Sequence, residues 1–243
     1  MTSPNFATIW VYLSTTPLMG LTMTLLAYSL GYRLYRYANS HPLLNPVVTA
    51  VAMLIAFLLI TDTSYKVYFA GAQFVHFLLG PATVALAIPL YKQWPKLKSL
   101  WLPISVTLLS GVTIGSFSSI SIAWFFGAST QTQLSLAPKS VTAPVAMGIS
   151  EKIGGLPSLT AVLVVLTGIL GAVIGATLFN WLRIKDDSIK GIAMGITAHG
   201  IGTARAFQIS PEMGAFAGLA MALSAFTTSV ILPWLLELLG VLH

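Results

Sequence analysis

The chain has 243 residues, of which 56% are hydrophobic and only 7% are Asp, Glu, Lys or Arg, against about 25% in an ordinary soluble domain. So little charge cannot cover a water-facing surface, which excludes a soluble enzyme, a disordered chain and a fibre and leaves a polytopic membrane protein. The 12 basic and 6 acidic residues give a net charge of +6, which in such a chain reports topology first; no basic cluster makes a nucleic-acid face, and the absence of cysteine removes disulfides and thiolate chemistry.

Long apolar runs without alternation predict an all-α fold rather than a barrel, with room for roughly seven or eight spans of about 20 residues each. The opening MTSPNFATIW has no charged leader region and predicts a retained first span, about Thr8 to Leu30. Arg33 and Arg36 follow it and mark a cytoplasmic end. The two-proline loop His41 to Pro46 leads into a short second span, Val47 to Thr61, with Pro46 suited to a first helical position. Asp62 and Lys66, four apart, read as a surface pair. The stretch Val67 to Tyr91 would cross the membrane, but Gly80-Pro81 and Pro89 interrupt it. Lys92, Lys96 and Lys98 then form the most basic loop, also cytoplasmic by the positive-inside rule.

An apolar span, Leu100 to Phe126, precedes a polar stretch, Ala128 to Ser135. A second broken segment runs from Ala137 to Ser150 with prolines at 138 and 144, and a Gly154-Gly155 turn follows. Next come a small-residue span, Ser158 to Leu182, a charged loop, Arg183 to Lys190, and a glycine-studded segment, Gly191 to Gln208. The last span covers Glu212 to Gly240. If 137–150 dips in and returns, Arg183 and Lys185 are cytoplasmic; if it crosses, they are outside.

A shift of 57 positions aligns the two broken segments: Pro81 with Pro138, Thr83 with Ser140, Val84 with Val141, and Ser110-Gly111-Val112 with Thr167-Gly168-Ile169. Paired proline-interrupted segments in corresponding positions point to a transporter's binding site. Irregular backbone at membrane depth survives only inside protein or beside a watered cavity, and a half-helix starting there aims free N–H groups and a positive dipole end at an anion. The expected organisation is therefore 1–65 as N-terminal scaffold spans, 66–130 as repeat 1 with its break at 80–84, and 131–243 as repeat 2 with its break at 137–150. The architecture is transporter-like, of elevator type.

Six blocks in order, PLLNP (42–46), GPATVALAIPLY (80–91), LAPKSVTAPVAM (136–147), IGGLPSLTAV (153–162), TGILGAVIGATLFN (167–180) and AHGIGTARAF (198–207), resemble the LrgB-like family of membrane proteins. That family includes bacterial holin/antiholin-like proteins and, in plants, the C-terminal part of the plastidal glycolate/glycerate translocator. The resemblance implies a multi-pass protein of a bacterial cytoplasmic membrane, with two functional descriptions. One is secondary transport of small monocarboxylates such as glycolate, glycerate, pyruvate or lactate. The other is holin/antiholin-like control of murein hydrolase export and cell lysis. It also implies a separate small membrane partner, LrgA- or CidA-like. Transporters of this architecture often form homodimers, while the sequence leaves the oligomeric state open.

The candidate substrate ligands are Lys139 and Arg205 as cations, Thr83, Ser140 and Thr142 as hydroxyl donors, and Pro81 and Pro138 as the residues that open the two half-helices. Lys139 reads either as a carboxylate contact or as a lysine snorkelling to the interface. Arg205 reads as a bidentate carboxylate ligand or as the partner of Glu212 or Glu151. His199 is a proton relay or a hydrogen-bonded packing residue, and Gly200 and Gly202 would break its helix. His76 reads as packing. Gly168, Gly171 and Gly175 are close-packing positions. No metal motif, no cofactor motif and no hydrolytic or nucleotide motif is present, so an enzyme is not expected.

Overall fold

The computed structural model describes residues 17–38, 44–85 and 87–238, and among these every regular element is helical. Two compact units meet in sequence at Ala85 and Leu86, inside the segment expected to form repeat 1.

The first unit holds α1 (Pro17–Tyr37), α2 (Pro46–Ile60) and α3 (Tyr65–Ala85). Arg33 and Arg36 lie within the last turns of α1, not in a loop after it. Pro46 begins α2, and the Asn45 side chain caps it by accepting from the Val47 N–H at 2.9 Å. Asp62 sits in the following turn with φ 49° while Lys66 belongs to α3; both are on the surface as expected, but they form no ion pair with each other. The Thr24 and Tyr68 hydroxyls bond at 2.6 Å across α1 and α3. The expected break at Gly80-Pro81 is corrected here: α3 runs through Pro81 to Ala85. A proline removes one N–H and crowds the carbonyl a turn earlier, yet membrane helices accommodate that loss when neighbours re-satisfy the freed group. No half-helix starts at Pro81. The side chains of His76 and Thr83 lie outside the described set, so the expected roles of those two residues do too.

The second unit contains α4 (Ala87–Lys92), α5 (Trp94–Ser99), α6 (Trp101–Phe125), α7 (Thr130–Leu136), α8 (Ala143–Lys152), α9 (Pro157–Trp181), α10 (Asp187–Ile209) and α11 (Pro211–Leu238). Lys96 and Lys98 are therefore on a short helix rather than in a loop. Among the described residues, α6, α9 and α11 are long and apolar enough to cross a membrane, and α2 is a shorter apolar helix. The outward faces carry large apolar side chains, among them Ile114, Leu170 and Phe226, exposed by 66%, 57% and 71%; such surface suits lipid and not water.

Local chemistry sets the ends. Pro157 opens α9. Arg183 closes it with φ 56°, letting the Ile184 N–H reach the Phe179 carbonyl at 2.9 Å. Gly127 (φ 72°) and Gly154 (φ 84°) do the same for α6 and α8. Asp186 caps α10 by accepting from the Ser188 and Ile189 N–H groups.

Buried clusters fix the directions of the helices. Ile104 and Leu108 from the start of α6 pack with Ile192 and Ile196 and with Phe216 and Ala220 from the start of α11. Val164, near the start of α9, packs instead with Leu232 and Leu236 near the end of α11, together with Leu134, Val141 and Ile149. So α6 and α11 run parallel and α9 runs antiparallel to both. The two 25-residue helices α6 and α9 begin 56 positions apart, close to the 57-position shift seen in sequence, with opposite directions.

Candidate functional site

Two segments enter the second unit without crossing it. The first is 137–142, irregular backbone between α7 and α8. Its feet share one end of the bundle: the Leu156 N–H donates to the Ser135 hydroxyl at 2.8 Å, and the Thr160 hydroxyl lies 3.0 Å from the Ser135 carbonyl and 2.7 Å from the Ser150 hydroxyl. The segment thus dips in and returns.

The second is α10, which is a hairpin. His199 has φ 40° and ψ −131° inside it and divides it into two arms. A straight helix of its 23 residues would be about 34 Å long, yet the Ser210 hydroxyl donates to Asp187 at 2.7 Å. A Cβ on Gly202 would meet Ala198 Cβ at 2.6 Å and the Met194 carbonyl oxygen at 2.8 Å, contacts that need antiparallel arms. The first arm, Asp187 to Ala198, is about 18 Å long, so its tip stands about midway through a 30 Å hydrocarbon core.

The tip is docked on α9. Gly168, Gly171 and Gly175 face His199, Ala198 and Met194, where an added Cβ would approach to 2.7, 2.6 and 2.6 Å. His199 is 5% exposed, and its Nε2 bonds the Val164 carbonyl at 2.9 Å. A carbonyl only accepts, so Nε2 carries the proton in that bond. The Thr203 hydroxyl donates to the His199 carbonyl at 2.8 Å. The backbone torsion at His199 belongs to glycine-favoured space, and such outliers persist only when packing over-determines them.

Between the tips of the two segments lies a cavity of about 10 Å³, lined by Ser116 of α6, Pro138 and Ser140 of the irregular segment, Ile196 of the hairpin, and Ser224 and Thr228 of α11, among others. These positions fall near the middle of α6 and of α11, so the cavity is at membrane depth. The Ser224 Oγ is buried and has no hydrogen-bond partner; leaving a buried hydroxyl unsatisfied costs about 1–3 kcal/mol.

The residues singled out from sequence distribute unequally. Pro138 and Ser140 line the cavity, but Pro138 does not open a half-helix as expected: it lies in irregular backbone, and α8 starts at Ala143 with Pro144 in its first turn. Thr142 caps α8 by position but makes no side-chain capping bond. Lys139, between Pro138 and Ser140, is half-buried and forms no ion pair with a described residue. Arg205 lies on the second arm of the hairpin, 9% exposed, with Nη1 donating to Gln208 at 3.1 Å. Its neighbour Ala206 packs with Phe179 and Met213, toward the end of the bundle where α9 finishes and α11 begins. Glu212, proposed from sequence as one partner of Arg205, bonds Lys96 at 2.8 Å. Pro81 and Thr83 belong to the first unit. Among the described residues no three acidic or histidine side chains gather as metal ligands.

Ser116, Ser224 and Thr228 were missed by sequence reasoning. A signal exists: Ile104, Leu108, Val112 and Ser116 form one buried row at spacing four on α6, and Ser224, Thr228, Leu232 and Leu236 form another on α11. A hydroxyl on an otherwise apolar inward row marks a polar interior.

At the hairpin's feet is a charged cluster. Lys96 Nζ lies 2.9 Å from Asp186 and 2.8 Å from Glu212, and Lys190 lies 2.9 Å from Asp187. The Glu212 carboxylate, then that of Asp186, holds Lys96 protonated above its ordinary range. The Ser188 hydroxyl, then Lys96, holds Asp186 well below the usual carboxylate range. Lys190 and then the Ser210 hydroxyl lower Asp187.

A family model described as the LrgB-like family matches residues 24–238. YwbG of Bacillus subtilis (strain 168), described as uncharacterized, is 37% identical over 90% of this chain and 97% of its own length. The antiholin-like protein LrgB of Bacillus mycoides (strain KBAB4) is 31% identical over 93% of this chain and 98% of its own, and that of Bacillus cereus (strain B4264) matches to the same extent. No solved structure matches the chain.

Proposed function

This chain belongs to the LrgB-like family of membrane proteins, and from that premise we propose that it is a secondary transporter of small monocarboxylates in a bacterial cytoplasmic membrane. The observation that carries the reading is the cavity at mid-membrane depth, where Ser116, Ser140, Ser224 and Thr228 bring hydroxyls into an otherwise apolar lining, between two segments that enter from opposite ends of the bundle. Discontinuous segments meeting near the midplane are the usual frame of a transporter site. Lys139 supplies a cation beside it, and the N-terminus of α8 adds partial positive charge. An anion at that depth needs such compensation against the cost of leaving water. The basic residues of 92–98 and 183–185 share one face, placed in the cytoplasm by the positive-inside rule. A small LrgA- or CidA-like membrane protein is the proposed partner, and the transporter works as a homodimer.

The test is counterflow of labelled glycolate or pyruvate in vesicles, with and without that partner. Trans-stimulated uptake that depends on this chain supports the reading, and its absence in both preparations rejects it. A second reading, an antiholin-like regulator of murein hydrolase export and lysis, is favoured by the names of the Bacillus relatives. It predicts a change in lysis timing on deletion that a transport-dead variant still rescues.

A further inference from the structure

We propose that Ser224, with Thr228 and Ser116, forms the subsite that separates a monocarboxylate bearing a hydroxyl or carbonyl oxygen next to its carboxylate from one that lacks it; this rests on the transport reading above. Three observations converge. Ser224 is 1% exposed, and its Oγ has no partner in the protein. Serines within apolar helices ordinarily satisfy themselves on the carbonyl a turn earlier, as Ser229 does on Ala225 at 2.8 Å in the same helix. Ser224 does not, and it lines the cavity together with Ser116, Ser140 and Thr228.

Charge then divides the substrate. The cavity of about 10 Å³ has room for a water-sized group, and its polar lining is neutral hydroxyls. A single hydroxyl or carbonyl oxygen placed there takes the hydrogen bonds a water would have. The carboxylate of such a substrate then lies outside the cavity, on the side of Lys139, which adjoins Ser140 in the chain and has no ion-pair partner among the described residues. A substrate with hydrogen in place of that oxygen leaves Ser224 unsatisfied, and a site built around a polar group rejects the analogue that lacks it.

The experiment is competition. Labelled glycolate uptake is measured in membrane vesicles carrying the full chain at matched levels, with unlabelled glycolate or acetate as competitor. The wild type is expected to favour glycolate, and Ser224→Ala to shrink the ratio of the two inhibition constants by about tenfold, mainly by weakening glycolate. Thr228→Val and Ser116→Ala should shift the same ratio in the same direction, and they carry the test if Ser224→Ala yields no uptake. A ratio unchanged in the variants that still transport overturns the assignment. Wild-type vesicles that take up no glycolate overturn the transport reading itself, a distinct outcome.

Discussion

Lys96 and Asp186, 90 positions apart in the chain, meet at 2.9 Å. The short helix α5 before α6 and the loop after α9 therefore share one face of the bundle. This contact decides the topology that charge alone left open: 137–152 dips in and returns, and Arg183 and Lys185 lie on the same side as Lys92 and Lys98.

That topology is testable by accessibility, because the chain has no cysteine to remove. Lys98→Cys and Lys185→Cys should react with an impermeant maleimide only in inside-out vesicles. Ser129→Cys and Lys152→Cys, from the opposite end, should react only in right-side-out ones. Labelling of positions 98 and 185 from different sides would contradict the helix directions.

The ion cluster at the hairpin's feet should make a modest, pH-bounded contribution to stability. Asp186 has a lowered proton affinity in the folded protein, so its contribution is complete above the ordinary value of about 3.9 and fades as pH falls below it. Lys96 has a raised one, so its share is complete below about 10.4 and is lost as pH climbs through its raised value. Half-exposed pairs are worth about 0–1 kcal/mol. Asp186→Asn should thus shift the melting midpoint by only a few degrees at pH 7 and flatten the acid limb of its pH profile.

The two cations singled out from sequence should separate by readout, because Lys139 adjoins the cavity-lining Ser140 while Arg205 does not line the cavity. Lys139→Ala should raise the uptake KM at least tenfold with little change in melting midpoint, while Lys139→Arg retains part of the uptake. Arg205 is buried and bonded to Gln208, so Arg205→Lys, without the planar fork, should reduce both uptake and stability. Normal uptake by Lys139→Ala would remove the proposed anion site.

The hairpin tip should be intolerant of volume. Gly168→Ala would set a Cβ 2.7 Å from His199 Cε1 and 2.9 Å from Ile201 Cδ1. The expected cost is about 1–3 kcal/mol, with a clear loss of uptake. Gly148, on an exposed face of α8 with nothing within 4 Å of its would-be Cβ, is the control: Gly148→Ala should be neutral or stabilising by up to about 1 kcal/mol. Equal behaviour of the two variants would argue against a docked tip.

His199→Gln should keep substrate affinity but flatten the dependence of uptake on pH between about 5.5 and 8. A profile with its wild-type shape would confine His199 to holding the tip through its bond to Val164.

Much of the scaffold was legible. Pro46 announced the start of α2, and the apolar runs from 100 to 126 and from 158 to 182 matched α6 and α9 within a residue at each end. Pro81 misled because a proline in a membrane helix is compatible with continuity as well as with a break, and sequence does not say which neighbours satisfy the freed carbonyl. The break at Pro138 was readable because a second proline and polar residues surround it. The hairpin was half legible: Gly200 and Gly202 signalled a break, but a reversal at His199 depends on tertiary docking against Gly168, Gly171 and Gly175. Ser224 was hidden because a serine in an apolar helix looks the same whether or not it bonds its own backbone.

Since Asp187 and Ser210 stand side by side, α10 contributes no net passage through the bilayer, and neither does 130–152. Each could lengthen, shorten or be replaced over evolutionary time without inverting anything downstream. Among the described residues of the second unit, the helices long and apolar enough to cross are α6, α9 and α11, an odd number. The start of α6 and the end of α11 accordingly lie on opposite faces of the bundle whatever chemistry the two inserted segments come to serve.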